Sequence, residues 1–244
     1  GQDRGVERQP VRRFRPDPGA PPPADGVWPV TVPAVTQLVR EGLELRPGAT
    51  VLIGENGSGK STVLEVLAAA LGLNAEGGSA GTRHQTRRSE PGSLDLIVER
   101  SPGADRWAYF LRDETMHGLY GYLEANPNPR TDEPLFHELS HGEAFLALLG
   151  RRATSGGLFL LDEPDAALSF TGTLSLVVQL AGLVDRGAQV VVATHSPVLA
   201  ALPGAQLLEV GDWGLRAATW ADLELTASWR QFLRDPQSFL RLLT

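Results

Sequence analysis

Two short stretches of this 244-residue chain carry residue types at the spacing that phosphate chemistry needs. The first is Gly54-Glu55-Asn56-Gly57-Ser58-Gly59-Lys60-Ser61-Thr62, which satisfies G-x-x-x-x-G-K-[ST] directly after an apolar run and directly before a helical pattern. Its glycines let backbone N–H groups turn inward around a β-phosphate, the helix starting near Gly59 adds its positive end, and Lys60 reaches the β- and γ-oxygens. Ser61 is then placed to ligate Mg²⁺. The second is Leu158-Phe159-Leu160-Leu161-Asp162-Glu163-Pro164, a buried-type strand ending in two acids. Neighbouring strand residues point to opposite faces, so Asp162 can serve the metal while Glu163 polarises an attacking water. Either acid alone reads equally well as a strand-end turn or helix cap. Together with the phosphate loop, the pair points to phosphoryl transfer to water.

Two further groups stand at element ends. Leu139-Ser140-His141-Gly142-Glu143 precedes an apolar run, and Ser140 with Glu143 forms a capping box. A helix start with a Ser hydroxyl and a Gly N–H is also an anion site, so both readings stand. His195 follows the apolar run at 189–193 in Ala193-Thr194-His195-Ser196-Pro197. A lone histidine after a strand is commonly a packing or capping residue, and only its position relative to the other motifs favours chemistry.

The elements that must position these residues alternate β-rich runs with helical patterns from about residue 48 onward. Such alternation predicts an α/β domain with a mostly parallel sheet. Strands are predicted over 49–53, 94–99, 107–111, 158–162, 189–193 and 206–210, with helices over 60–71, 143–152, 173–185 and most of 222–243. Residues 1–26, rich in Arg and Pro and without apolar periodicity, read as a flexible arm. The expected division is an α/β domain over 27–215, with an inserted subdomain at about 75–150, followed by a helical segment over 216–244 packed on that domain. The break at Asp235-Pro236 predicts two short helices there.

Composition excludes several function classes. The chain has no cysteine, which removes disulfides, thiolate metal sites and cysteine nucleophiles. The longest apolar runs fall short of the roughly 20 residues of a membrane span. A net charge of −7 argues against a broad nucleic-acid-binding face. Lys60 is the sole lysine among 22 basic residues. A chain that uses arginine everywhere else keeps lysine at the one place where a compact ammonium reaches phosphate.

In order and content the motifs resemble the ATPase domains of the ABC superfamily. Gly54 to Ser61 looks like Walker A, Leu139 to Glu143 like the signature, Leu158 to Glu163 like Walker B, Ala166 to Ser169 like the D-loop, and His195 like the switch histidine. The resemblance implies a P-loop NTPase core with an antiparallel β portion and a short helical subdomain. It also implies ATP and Mg²⁺ as ligands and a cytoplasmic location. Two domains would pair head to tail, with Ser140 and Gly142 contacting the γ-phosphate bound by the other subunit. Glu163 would activate water and His195 would brace the γ-phosphate. Gln85, the only glutamine between Lys60 and Ser140, is the candidate Q-loop metal ligand, and Trp28 is the nearest ring upstream for adenine stacking. His141 and Glu143 stand where transporters usually have Gly and Gln, and Ser169 where Asp is usual, a pattern closer to small stand-alone ATPases.

Between Lys60 and Ser140 no heptad run is present, which weakens a coiled-coil, DNA-tethering reading. The favoured function is a soluble ATPase whose ATP-driven dimerisation works on a protein or nucleic-acid client. A transporter motor subunit and a nucleotide-gated switch with little turnover are the alternatives.

Overall fold

The computed structural model describes residues 8–21, 26–74, 78–79, 94–112, 144, 147, 149 and 156–241. Among these, two sheets organise the chain. A three-stranded antiparallel sheet runs in the order β2-β1-β5, built from β1 (Arg13–Pro16), β2 (Leu43–Glu44) and β5 (Leu96–Glu99). The larger sheet runs β10-β9-β3-β8-β7-β6-β4. Its centre is parallel: β9 (Gln206–Gly211), β3 (Ala49–Ile53), β8 (Gln189–Thr194), β7 (Leu158–Asp162) and β6 (Ala108–Arg112). Antiparallel strands β10 (Gly214–Ala218) and β4 (Gly78–Ser79) close its two edges.

A parallel sheet covered on both faces needs strands that are apolar throughout, and β3, β7 and β8 are buried at every position. Alternate side chains feed two cores. Val51, Ile53, Phe159, Leu161, Val190 and Val192 face α3 (Phe170–Asp185), which contributes Leu176, Leu180 and Leu183. Leu52, Leu158, Leu160, Val191 and Ala193 face α1 (Pro33–Glu41) and α2 (Lys60–Ala70). Ala144 and Leu149 join the first of these cores. The register then aligns the C-terminal strand ends: Ile53 lies beside Thr194, Asp162 beside Ala193, and Arg112 beside Asp162. Every loop that leaves this edge therefore opens onto one surface, where ligands bind in open α/β sheets.

Three expectations change. Residues 13–16 are not an arm but β1, with Arg13 on Glu44 and Glu99 and Phe14 fully buried between Leu43 and Val98. The run Arg-Phe-Arg sends one ring inward and leaves guanidiniums outside, so an edge of the core carries the composition of a basic arm. The segment is further tied by Gln189, 1% exposed, whose amide accepts from Val11 N (2.9 Å) and donates to Val11 O (2.9 Å) and Arg46 O (3.2 Å). The helix α1 was not expected at all, although Pro33 at its first turn and Gly42 just past its end are start and stop signals. Finally, 216–218 belongs to strand β10, not to a C-terminal helical segment.

The rest of that segment holds α4 (Glu224–Arg234) and α5 (Pro236–Leu240), with Asp235 capping the second. Among the described residues, this segment docks through Trp220, whose Nε1 donates to Pro197 O at 2.8 Å, and through the start of α4, where Leu223 and Thr226 are buried, while Trp229 and Leu233 stay exposed. The expected insertion at 75–150 lies mostly outside the described residues.

Candidate active site

The loop from Gly54 to Gly59 joins β3 to α2 and can take its shape only with glycine at two positions. A Cβ on Gly54 would stand 2.4 Å from Val210 O and 2.8 Å from Ser58 Oγ. Gly59 has φ +98°, and a Cβ there would meet Val32 Cγ1 at 2.3 Å. Both substitutions would force the loop off its strand, so the backbone N–H groups of 54–60 are held as a preformed concavity. Lys60 is 4% exposed and spans that concavity, donating from Nζ to Gly54 O (2.8 Å) and Glu55 O (2.9 Å). Ser58 Oγ is buried without a hydrogen-bond partner among the described residues, a polar atom inside the loop that still has a bond to give.

Across the loop, β7 delivers both acids. Ser61 Oγ donates to Asp162 Oδ1 at 2.9 Å. Burial pushes the Asp162 carboxyl up to about 6, against the opposing pull of the Ser61 bond and the Arg112 charge, with nearby Glu163 and Glu65 adding to the rise. Glu163 lies one residue past the strand in the left-handed region at φ +47°, and its N–H donates to Ala193 O. Non-glycine residues rarely adopt this conformation, and when they do they cluster at functional sites. The turn aims the carboxylate back over the loop: Oε1 stands 3.4 Å from Lys60 Nζ and Oε2 2.8 Å from His195 Nδ1. That second approach is an ion-pair distance without hydrogen-bonding alignment, and Oε2 keeps no hydrogen-bond partner among the described residues. His195 is half exposed and faces the same space.

One edge thus brings together Gly54, Glu55, Asn56, Gly57, Ser58, Gly59, Lys60, Ser61, Thr62, Asp162, Glu163 and His195. Gln85 and the stretch Ser140, His141, Gly142 and Glu143 lie outside the described residues. Trp28 is 47% exposed and four positions before Val32, the residue that packs on Gly59. Ser169, where the resemblance expects Asp, caps α3 by accepting from Gly172 N at 3.2 Å. Three residues of the edge had no sequence signal. Asp165 accepts from Thr194 Oγ1 (2.8 Å), which in turn accepts from Ser196 N (2.9 Å), so the segment after Glu163 is latched to the turn that presents His195. Glu65 and Arg112 meet at 2.7 Å beside Asp162. No spacing rule reports contacts between elements so far apart in the chain. The position of Arg112, one residue past a predicted strand, was the only available hint.

Comparison with known proteins places the chain in a family. A family model described as "AAA domain, putative AbiEii toxin, Type IV TA system" matches residues 49–144 and 143–201. A cytochrome c biogenesis ATP-binding export protein of Rhizobium meliloti is 30% identical, over 71% of this chain and 97% of its own. The chain is a member of the ABC superfamily of ATP-hydrolysing P-loop proteins. The namesake export protein of Paracoccus denitrificans is 30% identical, over 67% of this ABC ATPase and 76% of its own length. An ABC transporter ATP-binding protein of Haemophilus influenzae is 26% identical, with 63% of the ABC ATPase matched to 66% of that relative.

Proposed function

We propose that this ABC ATPase binds Mg-ATP at the 54–62 loop and hydrolyses it as a head-to-tail homodimer, turning the closure and release of that dimer into work on a client protein or nucleic acid. The convergence of Lys60, Glu163 and His195 on one space supports the reading most directly. Lys60 leaves the carbonyls of Gly54 and Glu55 for the β- and γ-phosphates, which frees Glu163 from its ammonium partner. Glu163 then accepts the proton of the attacking water, and His195 braces the γ-phosphate. Ser140 and Gly142, flanked by His141 and Glu143, would complete the site of the opposite subunit from a helix start.

The donor set suits magnesium: Ser61 Oγ and Asp162 Oδ1 are hard oxygens already 2.9 Å apart, and Asp162 is buried beside them. Gln85 is the proposed third ligand. The ion would supply charge neutralisation to the nucleotide's phosphates. A cytoplasmic setting follows from the need for ATP. Among the described residues no helix is long and apolar enough to cross a membrane.

The solution mass of a Glu163→Gln variant tests the reading, since removal of the base with the site intact should trap the closed dimer. Mass is expected to double in Mg-ATP and to stay at the monomer value when Ser140→Arg is added. A monomer that binds ATP under both conditions would overturn the homodimer. It would favour a second reading, a motor subunit for separate membrane proteins, which the names of the transporter ATP-binding relatives support.

A pH prediction follows from Asp162. Its folded carboxyl lies above the ordinary value, so the native state binds the proton more tightly than the unfolded chain. Nucleotide-free stability is then given up as pH rises from about 4 to about 6, and the carboxylate is free for a cation only above that window. The thermal stabilisation by Mg-ADP should grow between about pH 5 and 7.5 beyond the growth seen in Asp162→Asn. Equal growth in both chains would remove Asp162 from the cation site.

A further inference from the structure

Arg112 ends β6, directly opposite Asp162 in the parallel register. Its side chain is 15% exposed, and among the described residues it meets two carboxylates: Nη1 lies 2.7 Å from Glu65 Oε1, and Nε lies 3.5 Å from Asp162 Oδ2. The second is an ion-pair distance, longer than a good hydrogen bond. Glu65 follows Ser61 by four residues on α2, which places the two on one helix face. Ser61 itself donates to the other oxygen of Asp162. The four side chains therefore form a closed ring, Ser61 to Asp162 to Arg112 to Glu65 and back through one turn of α2. Each oxygen of Asp162 faces a different element, Oδ1 the phosphate-loop helix and Oδ2 the neighbouring strand.

We propose that Arg112 is a positioning residue for the divalent cation that accompanies the nucleotide: with Glu65 as its tether, it fixes the Asp162 carboxylate so that Oδ1 is presented beside Ser61. The proposal rests on the reading of Ser61 and Asp162 as the cation-holding pair. Two physical arguments carry it. A carboxylate with one oxygen held keeps rotational freedom about its terminal torsion, and a charge partner on the second oxygen removes it. The three carboxylates of Asp162, Glu163 and Glu65 also crowd one edge, and a guanidinium fork can meet two of them at once where an ammonium acts as a single point charge. Arginine is therefore the residue type the geometry needs at this position. Lys60 Nζ bonds to the carbonyls of Gly54 and Glu55, whereas Arg112 pairs with Glu65 and Asp162, so the role of Arg112 is separable from holding phosphate.

The test measures the Mg²⁺ concentration needed for half-maximal ADP-dependent thermal stabilisation of the full chain, alongside ADP affinity in EDTA. Arg112→Gln is expected to raise that concentration roughly 10-fold, the scale on which partners of metal ligands act, with metal-free ADP affinity changed less than about 2-fold. Arg112→Lys should fall between, since it restores charge without the fork, and Glu65→Gln should give a smaller rise in the same direction. If Arg112→Gln weakens ADP equally with and without Mg²⁺, Arg112 holds nucleotide or fold and the proposal is wrong. Should Arg112→Gln fail to fold, the Lys and Glu65→Gln arms decide: an unchanged Mg²⁺ requirement in both overturns it. Asp162→Asn separates the two levels. A shift in Asp162→Asn without one in Arg112→Gln sinks only the role of Arg112, whereas no shift in Asp162→Asn sinks the cation site beneath it.

Discussion

Lys60→Ala is expected to remove ATP turnover, with kcat/KM down by on the order of 10³-fold or more, and to weaken ATP binding by roughly 2–4 kcal/mol. Lys60 is the only lysine in the chain and is buried inside its own loop, bonded to two carbonyls and near one carboxylate. Its truncation removes the charge proposed to meet the β- and γ-phosphates and leaves the buried Gly54 O unpaired, which costs about 1–3 kcal/mol, while the exposed Glu55 O turns to water. The loop should therefore lose both its ligand charge and some of its shape. Calorimetric titration with ATP, read beside the melting temperature, separates the two. Binding within about 2-fold of the native chain would mean that the 54–62 loop does not cradle phosphate.

Glu163→Gly should show a trade between activity and stability. Loss of the proposed base is expected to lower kcat by about 10²–10⁴-fold. The same position holds a left-handed backbone at φ +47°, which glycine adopts freely and other residues pay of order 1 kcal/mol to reach. Glu163→Gly should thus melt above Glu163→Ala while both are equally inactive. If the two variants melt together, the turn is set by its hydrogen bond to Ala193 O and not by local strain. Retained turnover in both would reassign the base.

The parts of this fold that were legible in the sequence are those where local pattern and tertiary role coincide. β3, β7 and β8 read clearly because coverage on both faces makes them continuous apolar runs, and the phosphate loop read clearly because its glycines answer a backbone demand within eight residues. β1 did not, since a four-residue strand with one inward ring has too short a pattern, and its partners lie near residues 44 and 98. Within the site, Lys60, Ser61, Asp162, Glu163 and His195 carried their signal in type and spacing. Glu65, Arg112 and Asp165 matter through neighbours 29 to 97 positions away, such as Thr194 for Asp165, and no single-chain pattern encodes that distance. The left-handed turn at Glu163 was equally silent, because glutamate gives no hint of positive φ.

The amide of Gln189 has a practical consequence for anyone who would trim this protein to a minimal catalytic fragment. Composition invites a cut near residue 27, ahead of the motifs. Such a cut would strip Val11 from both ends of that buried amide, and would uncover the surface of Leu43 and Val98 that Phe14 now seals. The shortened chain would keep every residue proposed to touch ATP and still be prone to aggregate. The useful boundary for expression lies upstream of Gln9, whose amide reaches Leu45 O at 2.7 Å.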